Sequence, residues 1–264
     1  MTFDLEACRF QLAARRVIQF PPGMAGNVLR GALGRALREV ACEEDYQRIF
    51  EPAASSAGPS GLSNWPRPFA LRCAALNDRV VQPGEQFSFD LHLFDRGLDL
   101  FTKAFAHWAD VVSVERRPVT VDLDAPRAPV SHIRVEFETP TELKANGQVA
   151  TGQFCVLLAR ARDRVSTLRS LYGAGPLAID FRGLAERARS IKTVRSELRQ
   201  VEVERRSGRT GQRHGIGGVV GFAEFEGDLA EFTPYLEAAH WTGVGRHCTW
   251  GNGQIHTTIL NSEF

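Results

Sequence analysis

The sequence lacks the features that define several protein classes. No apolar run approaches the roughly 18 residues that a membrane span needs, and residues 1–6 (MTFDLE) do not have the basic-then-apolar order of a signal peptide. Hydrophobic residues make up 43% and charged residues 24% of the 264 positions, a composition that is typical of folded globular proteins and not of disordered chains. We therefore expect a cytoplasmic protein that folds by itself.

Cysteine is scarce and unpatterned. The five cysteines include no C-x-x-C pair, so the sequence gives no sign of a zinc site or a redox centre. His247 lies beside one of them, but no further ligands for a shared metal ion are visible, and we predict neither a metal nor a cofactor. We interpret the cysteines as buried thiols at Cys8, Cys42, Cys73, Cys155 and Cys248.

Lysine is almost absent, because 29 of the 32 basic residues are arginine. The planar guanidinium group suits phosphate binding and base stacking better than an ammonium group does, although GC-rich coding also favours arginine. The net charge is only +1, yet residues 187–213 hold nine basic residues and three acidic ones. A run this dense is either a solvated face or, as we favour, the contact surface for a polyanion.

The first half of the sequence predicts one βαββαβ unit. Apolar residues recur at helical spacing from about Asn27 to Cys42 and leave Arg30, Arg35 and Arg38 away from the core. Residues 51–68 are rich in Pro, Gly and Ser and predict a long loop. This order is that of a ferredoxin-like domain over residues 1–125. The other predicted elements are strands at Phe3–Ala13, Phe69–Leu76 and Gln86–Phe94, a helix at Leu98–Asp110 and a strand pair across Val111–Leu123.

The second half repeats the pattern after Pro126 and Pro129, which mark a predicted boundary. In each half, a strand and an acidic-glycine turn lead into a helix that ends in His-Trp, at residues 107–108 and 240–241. We therefore predict an α+β protein of two tandem ferredoxin-like domains, the second over residues 126–264. Its predicted elements are strands at His132–Glu138, Val194–Val203, Gly218–Phe225 and Gln254–Leu260, and helices at Phe154–Tyr172, Leu184–Ile191 and Leu229–His240.

A glycine-rich segment, residues 243–253 (GVGRHCTWGNG), lies between the last predicted helix and the last strand. Such a loop can cradle a phosphate because glycine leaves backbone N–H groups unhindered. It has neither a G-x-G-x-x-G that opens a helix nor a terminal Gly-Lys-Ser/Thr, so dinucleotide and nucleoside triphosphate binding are not predicted. The alternative is that the glycines only make a tight connection.

Four segments of the sequence carry a family resemblance: residues 137–144 (FETPTELK), 218–224 (GVVGFAE), 236–241 (LEAAHW) and 243–254 (GVGRHCTWGNGQ). They resemble the CRISPR repeat-processing endoribonucleases of the RAMP superfamily, which end with strand, helix, Gly-x-Gly-basic, Thr-aromatic-Gly-x-Gly, strand. Residues 206–209 (RSGR) are similar to a basic-serine segment of that family. The second half of the chain matches well, and the first half matches mainly by element order.

The resemblance implies a protein that binds CRISPR repeat RNA, often a hairpin, and cuts one phosphodiester without a metal. In that chemistry the 2′-hydroxyl attacks its own phosphate and leaves a 2′,3′-cyclic phosphate. The implied partners are the repeat RNA, the mature crRNA that stays bound, and other CRISPR effector subunits, with no membrane. The histidine-poor first domain fits a divergent subtype such as the type IV processors.

In relatives a histidine from the first helix usually carries the proton, but this sequence has no histidine before His92. Arginine is a poor base because its pKa exceeds about 12, yet it can align and stabilise a crowded phosphate. We therefore predict catalytic roles for Arg35, Arg38 and Arg246, with His247 as the proton carrier. RNA contacts are predicted for Arg30, Lys192, Arg195, Arg199, Arg205, Arg206, Arg209, Arg213, His214, Gly243, Gly245, Gly251 and Gly253, and His214 is a secondary catalytic candidate.

Two other functions stay open. A noncatalytic RAMP subunit that clamps guide RNA would explain the missing first-helix histidine, whereas two complete βαββαβ units and the C-terminal loop favour the nuclease. The second of these is a ferredoxin-like module that binds small anions. The basic run at 187–213 favours a polyanion such as RNA over a small anion as the ligand. We predict structural roles for His107 and His240, which lie beside tryptophans at helix ends, while Phe222, Trp241 and Trp250 either stack bases or belong to the core.

Overall fold

A computed structural model of the protein describes residues 1–52, 65–95, 97–125, 128–145, 148–149, 152–206 and 213–260. In the first half the helices pack on one face of a sheet, as the alternating burial of β1 and the apolar stripe of α1 require. Its elements are β1 (Thr2–Ala13), β2 (Ile18–Phe20), α1 (Ala25–Val40), α2 (Glu43–Phe50), β3 (Phe69–Arg72), β4 (Arg79–Val81), β5 (Gln86–Leu93), α3 (Leu98–Trp108) and β6 (Asp110–Asp122).

The main sheet of the first half has, within the described ranges, four antiparallel strands in the order β3-β5-β1-β6. With α1 and α3 as the two crossover helices, this is the ferredoxin-like arrangement. β6 pairs with β1 from Asp122 opposite Thr2 to Asp110 opposite Ala13, with one irregularity at Gln11/Leu12. The strand pair predicted across Val111–Leu123 is therefore wrong, because one long strand is needed to pair the full length of β1.

The second half has the same plan with longer insertions between the main strands. α5 satisfies its first backbone N–H groups through the Asp180 side chain, which accepts from Arg182 and Gly183. The elements are β7 (His132–Thr141), β8 (Lys144–Ala145), β9 (Gln148–Val149), α4 (Phe154–Tyr172), α5 (Phe181–Ala188), β10 (Lys192–Val201), β11 (Glu204–Arg206), β12 (Arg213–Gly215), β13 (Gly218–Glu226), α6 (Thr233–Thr242) and β14 (Ile255–Ile259).

The second main sheet, counted over the described residues, orders its strands β10-β13-β7-β14. Position by position this matches β3-β5-β1-β6, so the prediction of two tandem ferredoxin-like domains is confirmed. α3 and α6 are the equivalent helices of the two units. The repeated His-Trp pair lies at the C-terminal end of each, at the last two residues of α3 and one residue before the last of α6. The predicted helix at Leu229–His240 is split into a short 3-10 turn, Ala230–Phe232, and α6.

The described residues form two apolar cores that hold the fold together, and the second draws on both halves of the chain. In the first core, Phe10 packs against Phe89 and Phe105 with ring centroids 5.6 and 4.9 Å apart. The second core includes Phe3 and Val121 from the first half. The halves are therefore packed against each other, while the boundary between residues 125 and 126 stays a prediction.

The described residues carry no helix that is both long and apolar enough to cross a membrane. They also contain no cluster of three or more His, Cys, Asp or Glu side chains that is arranged around a common point. The cysteines are free thiols, with Cys8, Cys73 and Cys248 buried and Cys155 partly buried. The prediction of buried thiols is wrong for Cys42, which is exposed just before α2.

Candidate functional site

The glycine loop, residues 243–253, folds back on itself between α6 and β14. The Val244 N–H donates to the Gly253 carbonyl at 2.9 Å, and the Gly253 N–H donates to the Pro140 carbonyl at 3.1 Å. Gly245 has φ +77 and lies so close to strand β7 that an added Cβ would be 2.4 Å from the Glu142 carbonyl oxygen. Any side chain at position 245 would therefore meet this backbone, so the loop needs glycine there. The φ angles of its four glycines lie between 72 and 81°, at Gly243, Gly245, Gly251 and Gly253.

The glycine loop packs against the N-terminal half of α1. This contact connects the first half of the chain, which contains α1, with the second half, which contains the loop. An added Cβ on Gly26 would lie 1.8 Å from the Trp250 carbonyl oxygen, so helix and loop touch backbone to backbone. One turn later, the Arg30 guanidinium carbon lies 4.4 Å from the centre of the Phe50 ring and 4.3 Å from that of Trp250. Cation–π contact with the two rings stabilises this cation away from water.

The burial of Arg30, which is 8% exposed, corrects the prediction that it lies off the core. The apolar stripe of α1 alone places Arg30 outside, but Trp250 from the other half of the chain covers it. Its predicted contact with RNA stays a prediction. The same observation assigns Trp250 a packing role between the loop and the helix, the core alternative of the two considered from the sequence.

A basic hairpin, β11 and β12, begins beside the glycine loop. Its strands pair Arg205 with His214 and Arg206 with Arg213 in antiparallel register, whereas Arg209 lies outside the described residues. At the base of the hairpin, the Asn252 side chain of the glycine loop donates to the Ile216 carbonyl at 2.6 Å. The predicted RNA-binding segment is therefore attached directly to the loop.

The space between loop, β7 and α4 is a cavity of about 570 Å³, which we call the loop cavity. The Glu142 carboxylate contacts three basic side chains of this cavity. It is 3.0 Å from Lys144 Nζ, 3.6 Å from Arg246 Nη1 and 3.6 Å from His247 Nε2. The remaining contacts of the loop hold His247 in place, since its ring also meets Trp250 edge to face at 5.2 Å. The described residues that line the cavity are Trp65, Pro66, Arg67, Glu142, Lys144, Arg160, Asp163, Arg164, Thr167, Gly245, Arg246, His247, Cys248, Thr249 and Trp250.

Several lining residues of the loop cavity were not predicted from the sequence. Arg160, Asp163, Arg164 and Thr167 come from one face of α4, and their spacing of three, four and seven residues is the available signal. Arg164 Nε donates to the Thr242 carbonyl at 2.9 Å, whereas its buried Nη2 has no hydrogen-bond partner among the described residues. Five cationic side chains against two carboxylates make the lining electropositive, which suits a phosphate.

The structure brings Arg246 and His247 together but does not bring Arg35 and Arg38 to them. Arg35 lines a different cavity with Arg15 and Arg16, at the far end of α1. Arg38 Nε donates to the Tyr46 hydroxyl at 2.9 Å, and Arg38 Nη2 lies 3.5 Å from the Glu51 carboxylate. The glycine loop does oppose α1 as predicted, but at Gly26 and Arg30 and not at the two arginines expected to be catalytic.

A substitution at Arg38 tests its predicted catalytic role. Because Arg38 is bound to Tyr46 and Glu51 and does not line the loop cavity, we expect Arg38→Ala to keep the single-turnover rate of RNA cleavage within about threefold of the wild type. The measurement is cleavage of repeat RNA with protein in excess. A loss of a hundredfold at unchanged RNA affinity would instead return Arg38 to the catalytic set.

The other histidines of the domain interface are held by backbone carbonyls. His92 Nδ1 lies 2.8 Å from the Trp241 carbonyl oxygen, and burial lowers the His92 pKa to about 3. His240 Nδ1 lies 3.1 Å from the Ile255 carbonyl oxygen, and burial lowers its pKa as well. Both rings are therefore neutral near pH 7 and occupied in packing, which agrees with the structural role predicted for His240. His107, by contrast, is exposed at the end of α3.

Lys192, Arg195 and Arg199 lie on β10, an edge strand whose residues are mostly exposed. Arg195 pairs with Glu197, and its guanidinium carbon lies 5.1 Å from the centre of the Phe222 ring, which the Arg134 guanidinium carbon also approaches to 3.7 Å. The predicted RNA contacts of β10 stay predictions, but their side chains are placed on an open surface that an RNA could reach.

Comparison with known proteins gives two family matches and a set of structural ones. Residues 3–142 match the AF_1859_N family, described as an N-terminal domain, and residues 135–255 match the CRISPR-associated endoribonuclease Cas6. No curated protein sequence matches the chain.

Solved structures of Cas6 proteins share the fold over nearly the whole chain. The Thermus thermophilus Cas6 (TTHB231) in a product complex has a TM-score of 0.63 at 15% identity, covering 97% of this chain and 100% of that one. A Cas6 (TTHA0078) substrate mimic complex has a TM-score of 0.54 at 17% identity, covering 97% and 100%. A partial Cas6-RT-Cas1–Cas2 complex has 0.63 at 11% identity and covers 99% of this chain but 47% of that one.

Two tandem ferredoxin-like units, the second with a glycine loop before its last strand, form the fold that this chain shares with the solved Cas6 structures. The chain belongs to the AF_1859_N family, whose model matches residues 3–142, and residues 135–255 are similar to the CRISPR-associated endoribonuclease Cas6.

Proposed function

We propose that this protein is a metal-independent endoribonuclease that cuts CRISPR precursor RNA within the repeat and stays bound to the mature crRNA. One observation carries the proposal: the glycine loop, α1 and the base of the basic hairpin meet beside a cavity in which His247, Arg246 and Glu142 lie together. The family match over residues 135–255 supports RNA as the ligand of this cavity.

The chemistry proposed for the cavity is attack of a ribose 2′-oxygen on the adjacent phosphorus. The 2′-hydroxyl loses its proton, the new O2′–P bond forms, and the bond from phosphorus to the 5′-oxygen breaks. A proton then goes to that 5′-oxygen, which leaves a 2′,3′-cyclic phosphate and a 5′-hydroxyl. The step needs a proton carrier, in-line geometry and positive charge beside the crowded phosphate.

His247 is the histidine among the described residues that line the loop cavity, and imidazole is the side-chain type most often used to transfer protons in catalysis. Its side chain is 18% exposed, enough to touch a bound RNA, and its ring is oriented by Trp250. The Glu142 carboxylate, 3.6 Å from Nε2, stabilises positive charge on the ring when it takes a proton. We assign Arg246 and Arg164 to the phosphate, because the first is largely exposed at the cavity and the second presents an unpartnered buried Nη2.

The proposal predicts the cleavage products and their metal dependence. We expect pure protein mixed with cognate repeat RNA in EDTA to cut it once and to leave a 2′,3′-cyclic phosphate on the 5′ fragment. The fragment ends can be read by mass spectrometry, with RNA that carries a single 2′-deoxy substitution at the cut site as the uncleavable control. Cleavage that requires Mg²⁺, or that leaves a 3′-hydroxyl, would overturn the mechanism.

Retention of the product is tested in the same reaction with RNA in excess. Because the open β10 surface and the hairpin bind the RNA independently of the cut, we expect cleavage to stop near one RNA per protein. Tight binding of the repeat without any cleavage would favour the alternative, a noncatalytic subunit that clamps guide RNA. The absence of a histidine in α1 is the observation that favours that alternative.

A further inference from the structure

A second electropositive cavity lies at the far end of α1 from the glycine loop. It has a volume of about 510 Å³ and is built by the turn after β1, the outer face of α1 and the end of α3. We call it the arginine cavity, and the described residues that line it are Arg15, Arg16, Ala32, Arg35, Ala36, Glu39, His107 and Trp108.

The arginine cavity holds cations that the fold leaves uncompensated. Nearly every arginine side chain that the structure describes has a carboxylate, carbonyl or aromatic partner. Arg15, for example, is 2.8 Å from the Asp110 carboxylate. The exceptions among the described side chains, which have no hydrogen bond, ion pair or ring contact, are Arg16, Arg35, Arg189 and Arg199. Two of these four converge on one cavity, in which Glu39 is the acidic residue of the lining.

Two guanidinium groups without a carboxylate partner that line one cavity make it electropositive, so binding of an anion there lowers the free energy. Their flat forks suit phosphate oxygens. Trp108, which is partly exposed and packs edge to face on Phe87 at 5.9 Å, adds an aromatic surface beside them. Cations together with an accessible indole are the combination that binds single-stranded nucleic acid, through phosphates and stacked bases.

We propose that the arginine cavity is a second RNA-binding site, which holds phosphates of repeat nucleotides that flank the cut. The inference rests on the proposed function, which places the cut phosphodiester of the RNA in the loop cavity. Arg35 lies nine residues beyond Gly26 on α1, or about 14 Å along the helix axis. At 3.4 Å per stacked nucleotide this distance is roughly four nucleotides from the loop cavity. α1 therefore acts as a spacer that sets how much flanking RNA the protein measures.

The double variant Arg16→Ala/Arg35→Ala tests the site by equilibrium binding of repeat RNA made uncleavable by the 2′-deoxy substitution. We expect the Kd for the full repeat to rise about tenfold, and the slope of log Kd against log salt to fall by about 1.4 for two lost phosphate contacts. The charge-matched control is Arg79→Ala/Arg182→Ala, whose arginines pair with Glu85 and Glu186 and lie outside both cavities.

Shortened RNAs decide whether the contact is local. When the repeat is trimmed from each end in turn, one trimming should remove the difference between the double variant and the wild type. Equal affinity of both proteins for the full repeat would overturn the inference. The inference would also be overturned if the double variant bound every trimmed RNA more weakly than the wild type, or if the control variant lost as much affinity as the double variant. Because the readout is binding, failure of the protein to cleave would count against the proposed function and leave this site standing.

Discussion

His247→Asn is expected to lower the single-turnover rate of repeat cleavage by about 10²- to 10⁴-fold, the usual worth of a positioned general acid or base. Asparagine is the informative replacement because His247 has φ +66, a left-handed conformation that Asn tolerates better than most other residues with a side chain do. The backbone of the glycine loop is then kept, and the variant removes only the imidazole. RNA affinity should change little, since Arg246, Lys144 and Arg164 remain in the loop cavity.

The matched control for this prediction is His256→Asn. His256 is an exposed histidine on β14 that lies outside the loop cavity, so its loss should leave the rate of cleavage near that of the wild type. A rate for His247→Asn within threefold of the wild type would remove His247 as the proton carrier. A parallel loss of rate in His256→Asn would show that the assay reports folding and not chemistry.

The main sheets were predictable because their pattern is local. β1 alternates buried and exposed residues, and the apolar stripe of α1 repeats every three to four residues, so each can be recognised within its own segment. α2, Glu43–Phe50, was missed because its eight residues make about two helical turns, so its buried Tyr46, Ile49 and Phe50 show the helical spacing only once. The strand pair predicted over Val111–Leu123 failed because the length of a strand is set by its partner, here β1.

The site was less predictable, because its parts meet only in the folded chain. The glycines of the loop were recognisable from sequence, but Glu142, directly after β7, and Arg164, on α4, carry no motif of their own. Arg30 was misplaced for a related reason. Spacing within α1 puts it outside the apolar stripe, whereas the aromatic rings that bury it come from α2 and the glycine loop. Packing between segments far apart in sequence decides such positions.

Gly26→Ala is expected to damage both stability and cleavage, because the helix and the loop meet there without room for a methyl group. The new Cβ would lie 1.8 Å from the Trp250 carbonyl oxygen and 2.3 Å from its carbon, and neither backbone atom can turn aside. The loop must move away from α1, which separates Trp250 from Arg30 and shifts His247. We expect a loss of about 1–3 kcal/mol in the free energy of unfolding. Cleavage should slow by about a hundredfold, since a displacement of 1 Å can cost that much.

Gly31→Ala separates this effect from the general consequence of replacing a helical glycine. Gly31 lies on the same helix, and the nearest atom to an added Cβ is the mobile Arg35 Nη1 at 3.9 Å. There the better helix propensity of alanine should raise stability by about 0.5–1 kcal/mol. Chemical denaturation and single-turnover cleavage of both variants make the comparison. If Gly26→Ala matched Gly31→Ala in both, the contact between α1 and the glycine loop would not be what positions the site. If it lost stability alone, the contact would belong to the fold and not to the chemistry.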